Sequence, residues 1–295
     1  MTSATTPCIE TFFDKDSSTF TYVLHTGDGS DCAIIDSVLN FEPKACRTRT
    51  TSADEVADFV SAHGLQVRWL LETHAHADHL SAAPHLQQML GGRIAIGSGI
   101  LKVQDAFQKL FRLPAFVPDG TQFGHLFAPD ERFAVGPLTL TAMHVPGHTP
   151  ADVAYVVDGS ADSAPIAFVG DTLFMPDVGS ARCDFPGGSA HTLYRSVRRI
   201  LALPPKTRLL LCHDYPPDGR SPCAETTVEA QREANIHLRD TVTEDEFVEM
   251  RTRRDATLAM PALILPSIQV NIQAGALPAP ESNGIRYLKI PINAL

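Results

Sequence analysis

The segment Thr73-His74-Ala75-His76-Ala77-Asp78-His79 follows the apolar run Val67 to Glu72 directly, and it constrains this chain more than any other feature. Three imidazoles and a carboxylate within six positions at the end of a short buried strand make a metal-ligand set. In an extended segment residues two apart share a side, so His74 and His76 project together. Asp78 and His79, expected to enter a helix running from His79 to Leu90, point to a neighbouring position. Two adjacent metal subsites become possible, and the small Ala75 and Ala77 let the backbone come close to an ion. Neutral imidazoles with a carboxylate suit zinc or iron rather than calcium or magnesium. Three further candidates each follow an apolar run, where α/β sheets place their sites: His148 in PGHTPAD, Asp171 in VGDTLF and His213 in LLLCHDY.

The rest of the chain reads as strands in two blocks with helices between and after them. TYVLHT, GDGS and DCAIIDS, between Phe20 and Ser37, form a hairpin pattern, two apolar segments around a turn cluster. Ser52 with Glu55 reads as a capping box, with Val56, Phe59 and Val60 as a helical stripe that Gly64 ends. Arg93 to Ile96, Leu138 to His144, Val153 to Val157, Ile166 to Val169 and Leu209 to Cys212 read as strands. Ile100 to Phe111, His191 to Ala202 and Glu225 to Leu238 read as helices. The Pro- and Gly-rich tail from Met260 is expected as loop with short strands.

Several function classes are excluded. With 24 Lys and Arg against 34 Asp and Glu the net charge is -10, the wrong sign for a nucleic-acid partner. No apolar run reaches the roughly 20 residues of a membrane helix. The six cysteines form no CxxC pair, which removes zinc knuckles and thioredoxin-type motifs. MTSATTPCIETFFDKD lacks a secretory apolar region and is acidic early, so a cytoplasmic location is expected. No GxGxxG, Walker or GxSxG motif is present, which leaves nucleotide binding and covalent serine catalysis without support. His25, His63, His85, His125, His144, His191 and His237 lie outside the ligand pattern and are expected to be packing or surface residues.

THAHADH, GHTPAD, GDTLF and CHDY, in that order, resemble the motifs of the metallo-β-lactamase superfamily. The resemblance covers about Phe20 to His213. It implies an α/β fold, an αββα sandwich with its metal site at one edge between the two sheets. Residues 1–295 are then expected to form a single domain, with 240–295 packing back on the core. Within the superfamily, ARCDFPGGSAHTLYRSV and HDYPPDGRSPCAETTVEAQREAN resemble the persulfide dioxygenases, Arg182, Asp184 and Phe185 matching their RxDF element. Ala181 and Cys183 depart from residues frequent there, which points to a bacterial subgroup.

That resemblance implies oxidation of glutathione persulfide by O2 and water to sulfite and glutathione. One Fe(II) per chain would be held by His74, His148 and Asp171, three ligands that leave open positions. His76, Asp78, His79 and His213 would orient the ligands and a bound water. Asp78, His79, His213 and Tyr215 are then the expected catalytic groups, and Arg182, Tyr215, Arg220 and Arg232 the expected contacts of glutathione. QVNIQAG, from Gln269 to Gly275, resembles the family's C-terminal loop that folds back toward the site. The seven ligands equally allow a glyoxalase II-like hydroxyacylglutathione hydrolase with two zinc ions. His74, His76 and His148 would hold one, Asp78, His79 and His213 the other, with Asp171 bridging and a hydroxide attacking the thioester. A binding module without turnover is a third reading, although no ligand is missing. Oligomeric state is open, a homodimer being one candidate.

Overall fold

A computed structural model describes residues 6–160 and 163–294, so the amino-terminal stretch behind the compartment expectation lies partly outside the described residues. The first half of the chain supplies β1 (Cys8–Asp14), β2 (Thr19–His25), β3 (Asp31–Ile35), β4 (Val38–Glu42), β5 (Arg47–Arg49), α1 (Thr51–Ala62), β6 (Gln66–Leu71), β7 (Leu80–Ser81), α2 (Ala83–Leu90), β8 (Arg93–Gly97), α3 (Ile100–Phe111) and β9 (His125–Phe127). One six-stranded sheet runs β1-β2-β3-β6-β8-β9. Tight turns join β1, β2 and β3 antiparallel, whereas β3, β6, β8 and β9 are parallel and need the longer helical crossovers between them.

The second half supplies β10 (Glu131–Val135), β11 (Leu138–His144), β12 (Val153–Val157), β13 (Ile166–Phe168), α4 (Ala190–Leu201), β14 (Arg208–Leu210), β15 (Glu225–Thr227), α5 (Val228–Ala234), α6 (Glu244–Asp255) and α7 (Ile264–Asn271). Strands β10 to β15 form a second six-stranded sheet in sequence order.

Period-two alternation along the strands builds the layers. On β2, Tyr22 and Leu24 face the other sheet while Val23 faces the helices; on β12, Val153, Tyr155 and Val157 face inward while Ala154 and Val156 face outward. Both faces of both sheets are therefore apolar, which is why these strands read as continuous hydrophobic runs. α1, α3 and α7 cover the first sheet and α4 and α6 the second, giving the expected αββα sandwich.

Four local expectations need correction. Asp78 and His79 do not enter a helix: Leu80 and Ser81 pair with Leu39 and Val38 as β7, and the helix starts only at Ala83, with Pro84 in its first turn. The expected Ser52 cap is not used, because the Ser52 amide donates to Asn40 Oδ1 and its hydroxyl to Asp14 Oδ1, tying the helix start to β4 and the β1 end. Glu225 to Thr227 extend the sheet before α5 begins. The tail contains a helix, α7, whose Ile264 and Ile268 pack into the first helical layer. α6 was not anticipated, although Thr243 and Glu246 form a reciprocal capping box at its start.

Candidate metal centre

His74, His76, Asp78 and His79 occupy the irregular segment between β6 and β7 at the end of the first sheet. His148 follows β11, Asp171 sits in the turn Gly170–Thr172 after β13, and His213 follows β14. All seven expected ligands converge there, at one edge between the sheets. Asn271, at the end of α7, fixes the motif: its amide donates to the carbonyls of His76 and His79 at 2.8 Å each, and its Oδ1 accepts from the Ser81 amide. The QVNIQAG segment thus acts by pinning the ligand loop.

Each histidine is oriented through one ring nitrogen, leaving the other for the centre. His74 Nδ1 meets Thr73 Oγ1 at 3.1 Å, and Thr73 Oγ1 donates onward to Asp36 Oδ2. His76 Nε2 lies 3.0 Å from Asp36 Oδ1 and 3.4 Å from Glu72 Oε2. His148 Nδ1 donates to the Arg182 carbonyl at 2.8 Å. His213 Nδ1 faces Ser18 O and Thr19 Oγ1. The buried atoms left without a partner include His74 Nε2, His76 Nδ1, His79 Nε2 and Asp171 Oδ1. An unpaired buried polar atom costs roughly 1–3 kcal/mol, so four in one place are the mark of a cation site.

Among the groups of ligand atoms that come together are His74, His148 and Asp171, and His76, Asp78, His79 and His213, so His76 groups with the second trio and not, as the binuclear reading expected, with His74 and His148; Asp171 also joins Cys212 and His213, its Oδ1 lying 3.4 Å from His213 Nε2. In the first, His74 Nε2 and His148 Nε2 stand 3.8 and 3.7 Å from the same oxygen, Asp171 Oδ2, with no hydrogen bond across the gap. In the second, Asp78 is occupied: Oδ2 accepts from the Tyr215 hydroxyl at 3.0 Å and lies 3.0 Å from His213 Nε2, and Oδ1 lies 3.3 Å from His79 Nδ1. The Tyr215 ring stacks on that of His213.

Burial, then neighbouring imidazoles, hold His74 well below the usual histidine pKa, and burial also lowers His79 and His213, the direction a metal ligand needs. His76 behaves oppositely, because Asp36 and then Glu72 outweigh burial and raise it. Burial raises Asp78, but its interactions with His213 and the His79 hydrogen bond outweigh it and bring it down. Asp171 is pushed up to about 7 by burial.

The centre opens into a cavity of about 680 Å³ whose walls include Asp78, His148, Asp171, Arg182 and Tyr215. Arg182 is already engaged, forked onto Asp184 at 2.6 Å twice and donating to Ala259 O. Arg220 is forked between Asp214 and Asp177, Arg232 pairs with Asp240, and neither lines the cavity. Burial pushes the Cys183 thiol up, so it is an inert packed group, and all six cysteines are free thiols. Asp36 and Glu72, which hold His76, and Arg254 on the cavity wall are residues the sequence reading did not name, whereas Asn271 belongs to the QVNIQAG segment expected near the site. Asp36 and Glu72 carried a signal, each an acid closing an apolar run, CAII and VRWLL. Among the described residues no helix is long and apolar enough to cross a membrane.

The family model described as "Metallo-beta-lactamase superfamily" matches residues 15–213. The chain is 56% identical to a "Probable metallo-hydrolase" of Burkholderia pseudomallei, covering 97% of this chain and 99% of that one. It is 48% identical to "Glyoxylase B2" of Dictyostelium discoideum, covering 97% of each. It is 29% identical to the human "Persulfide dioxygenase ETHE1", covering 89% of this chain and 87% of that one. The structure of "ETHE1 from Myxococcus xanthus" superposes with a TM-score of 0.71 at 23% identity, over 91% of this chain and all of that one. Relatives named for persulfide oxidation are thus more distant than relatives named as hydrolase or glyoxylase, and the finer subgroup does not follow from similarity.

Proposed function

The chain belongs to the metallo-β-lactamase superfamily, and within it we propose a persulfide dioxygenase that oxidises glutathione persulfide at a single ferrous ion. The outer sulfur passes four electrons to O2, and with one water the products are glutathione, sulfite and two protons. The observation that carries this reading is the occupation of Asp78. The carboxylate a second ion would need already accepts a hydrogen bond from Tyr215 and lies 3.0 and 3.3 Å from His213 and His79, whereas His74 and His148 stand 3.8 and 3.7 Å from Asp171 with no hydrogen bond across the gap. The donor set fits, since two imidazoles and one carboxylate are the ligands of non-heme iron oxygenases. Ferrous iron bound there supplies the redox change that zinc lacks.

The chain's own residues supply the rest. The Arg182 carbonyl and the Thr73–Asp36 relay fix the rings of His148 and His74. Asp78 accepts the Tyr215 hydroxyl hydrogen bond and so fixes that ring at the cavity wall, beside the space an entering persulfide would fill. Phe185, edge-on to His148, keeps an apolar surface beside that ligand. The reading carries with it a cytoplasmic, one-domain enzyme that uses neither nucleic acid nor membrane.

A glyoxalase II-like thioesterase is the second reading, favoured by the unpaired His76 Nδ1 and His79 Nε2 and by the names of the more similar relatives. Oxygen uptake separates the two. Iron-loaded protein given glutathione persulfide is expected to consume one O2 per sulfite released, and zinc-loaded protein none. Absent uptake, with anaerobic cleavage of a glutathione thioester, overturns the dioxygenase.

A further inference from the structure

Charged side chains on the cavity wall are nearly all committed inside the chain. Arg182 is held by Asp184, Arg251 by Asp255, Asp177 by Arg220 and Asp78 by Tyr215, while Asp171 belongs to the metal centre. Two remain. Neither Arg254 nor Asp16 makes an ion pair or side-chain hydrogen bond among the described residues; both are exposed, and both line the cavity that reaches His148 and Asp171.

Both free charges ride on segments that also hold metal-centre histidines. Arg254 lies in the last turn of α6, one turn beyond Arg251 on the same face. The buried Arg251–Asp255 pair locks that turn to the loop carrying Arg182: Arg251 Nη1 donates to Ser180 O at 3.2 Å, and Asp255 Oδ2 accepts from the Cys183 amide at 2.9 Å. The Arg182 carbonyl between them orients His148. Asp16 lies in the β1–β2 turn, two residues before Ser18, whose carbonyl faces His213. The positions of both charges relative to the centre are therefore set by the fold.

We infer that Arg254 takes a carboxylate and Asp16 the ammonium of a zwitterionic γ-glutamyl peptide thiol whose sulfur end reaches the metal centre. The inference rests on the proposed persulfide chemistry for the sulfur end, and goes beyond it in naming the groups that read the charged ends. A cavity of this volume is in the range that encloses such a ligand, and a free guanidinium suits a carboxylate through its two-pronged geometry.

Calorimetric binding of S-methylglutathione, which carries no sulfane sulfur and needs no oxygen, tests it. Arg254→Ala is expected to weaken binding about tenfold, Arg254→Lys to recover part of the loss, and Asp16→Asn to weaken binding about fivefold. Masking both ligand carboxylates as ethyl esters costs wild-type affinity but little further in Arg254→Ala, and N-acetylation behaves likewise with Asp16→Asn. Arg253→Ala, which removes a partner of Glu249 off the cavity wall, leaves binding unchanged. Wild-type affinity in both variants, masking losses as large in the variants as in wild type, or no binding by wild type overturns the inference. Intact binding with no oxygen uptake overturns the dioxygenase alone.

Discussion

Replacing Asp36 with Asn tests how the ligand rings are held, because it changes one atom and leaves the backbone at ease: Asp36 sits at φ 53, a left-handed conformation that Asn tolerates as well as Asp. Oδ1 accepts from the Thr73 amide at 2.8 Å and from His76 Nε2 at 3.0 Å, and Oδ2 accepts from Thr73 Oγ1 at 2.9 Å. With the amide oxygen in the Oδ1 place, two charge-assisted bonds become neutral, and an NH2 faces the Thr73 hydroxyl. That hydroxyl must then turn away from the geometry that receives His74 Nδ1. A hydrogen bond to a charged group contributes about 1.5–3 kcal/mol and a neutral one about 1, so three weakened or inverted contacts cost about 3 kcal/mol. Both rings losing their supports should lower metal affinity roughly 10–100-fold. Denaturant unfolding of the metal-free protein and chelator competition on the loaded protein measure the two effects. Affinity within a factor of two of wild type, with unchanged stability, would refute the relay from Asp36 to the ligands.

Three other predictions are independent of it. Tyr215→Phe frees Asp78, so zinc titration should move from one ion per chain toward two, and an unchanged stoichiometry would remove Tyr215 from the account. Gly147→Ala places a methyl 2.3 Å from the Leu193 backbone at φ 146, where neither side can yield; urea unfolding should show a loss on the order of 3 kcal/mol, and wild-type stability contradicts that geometry. In the metal-free protein burial raises Asp171 and Asp152 to about 7, so the folded state holds protons that the unfolded state has released. Stability contributed by these two should fall as pH rises from about 4 to about 7 and level off above, while metal affinity rises over the same interval as Asp171 ionises. Because the lowered histidines titrate in the same interval with the opposite slope, denaturant midpoints of wild type are compared with those of Asp152→Asn, and metal titrations check the second slope; a wild-type advantage that grows toward pH 7 would contradict the burial argument.

Much of the centre was legible because strand ends in this fold are marked by abrupt changes from apolar to polar. VRWLLE into THAHADH, IAFV into GD and LLLC into HD each show a buried strand stopping where a ligand begins, and alternation along TYVLH and DCAII is what the two cores require. The stretch after His79 was misread because Leu80 and Ser81 pair with a strand some forty residues earlier, a tertiary demand that overrides local helical pattern. Asn271 was legible only through its segment: QVNIQAG was expected to fold back toward the site, but its partners are about 190 residues away and nothing local marks Asn271 as the residue that makes the contact. The arginines near the matched motifs are not the one left unpaired on the cavity wall. Arg220 and Arg232 are consumed by nearby acids, whereas Arg254 stays free because α6 spends Arg251 on Asp255 and leaves its next turn to the cavity.

The most direct test of the single-ion centre is an anomalous-scattering map, recorded at the iron edge from crystals of the iron-loaded protein. One peak between His74, His148 and Asp171, with Asp78 still bonded to Tyr215, is the expected result. A second peak among His76, Asp78, His79 and His213 would contradict it.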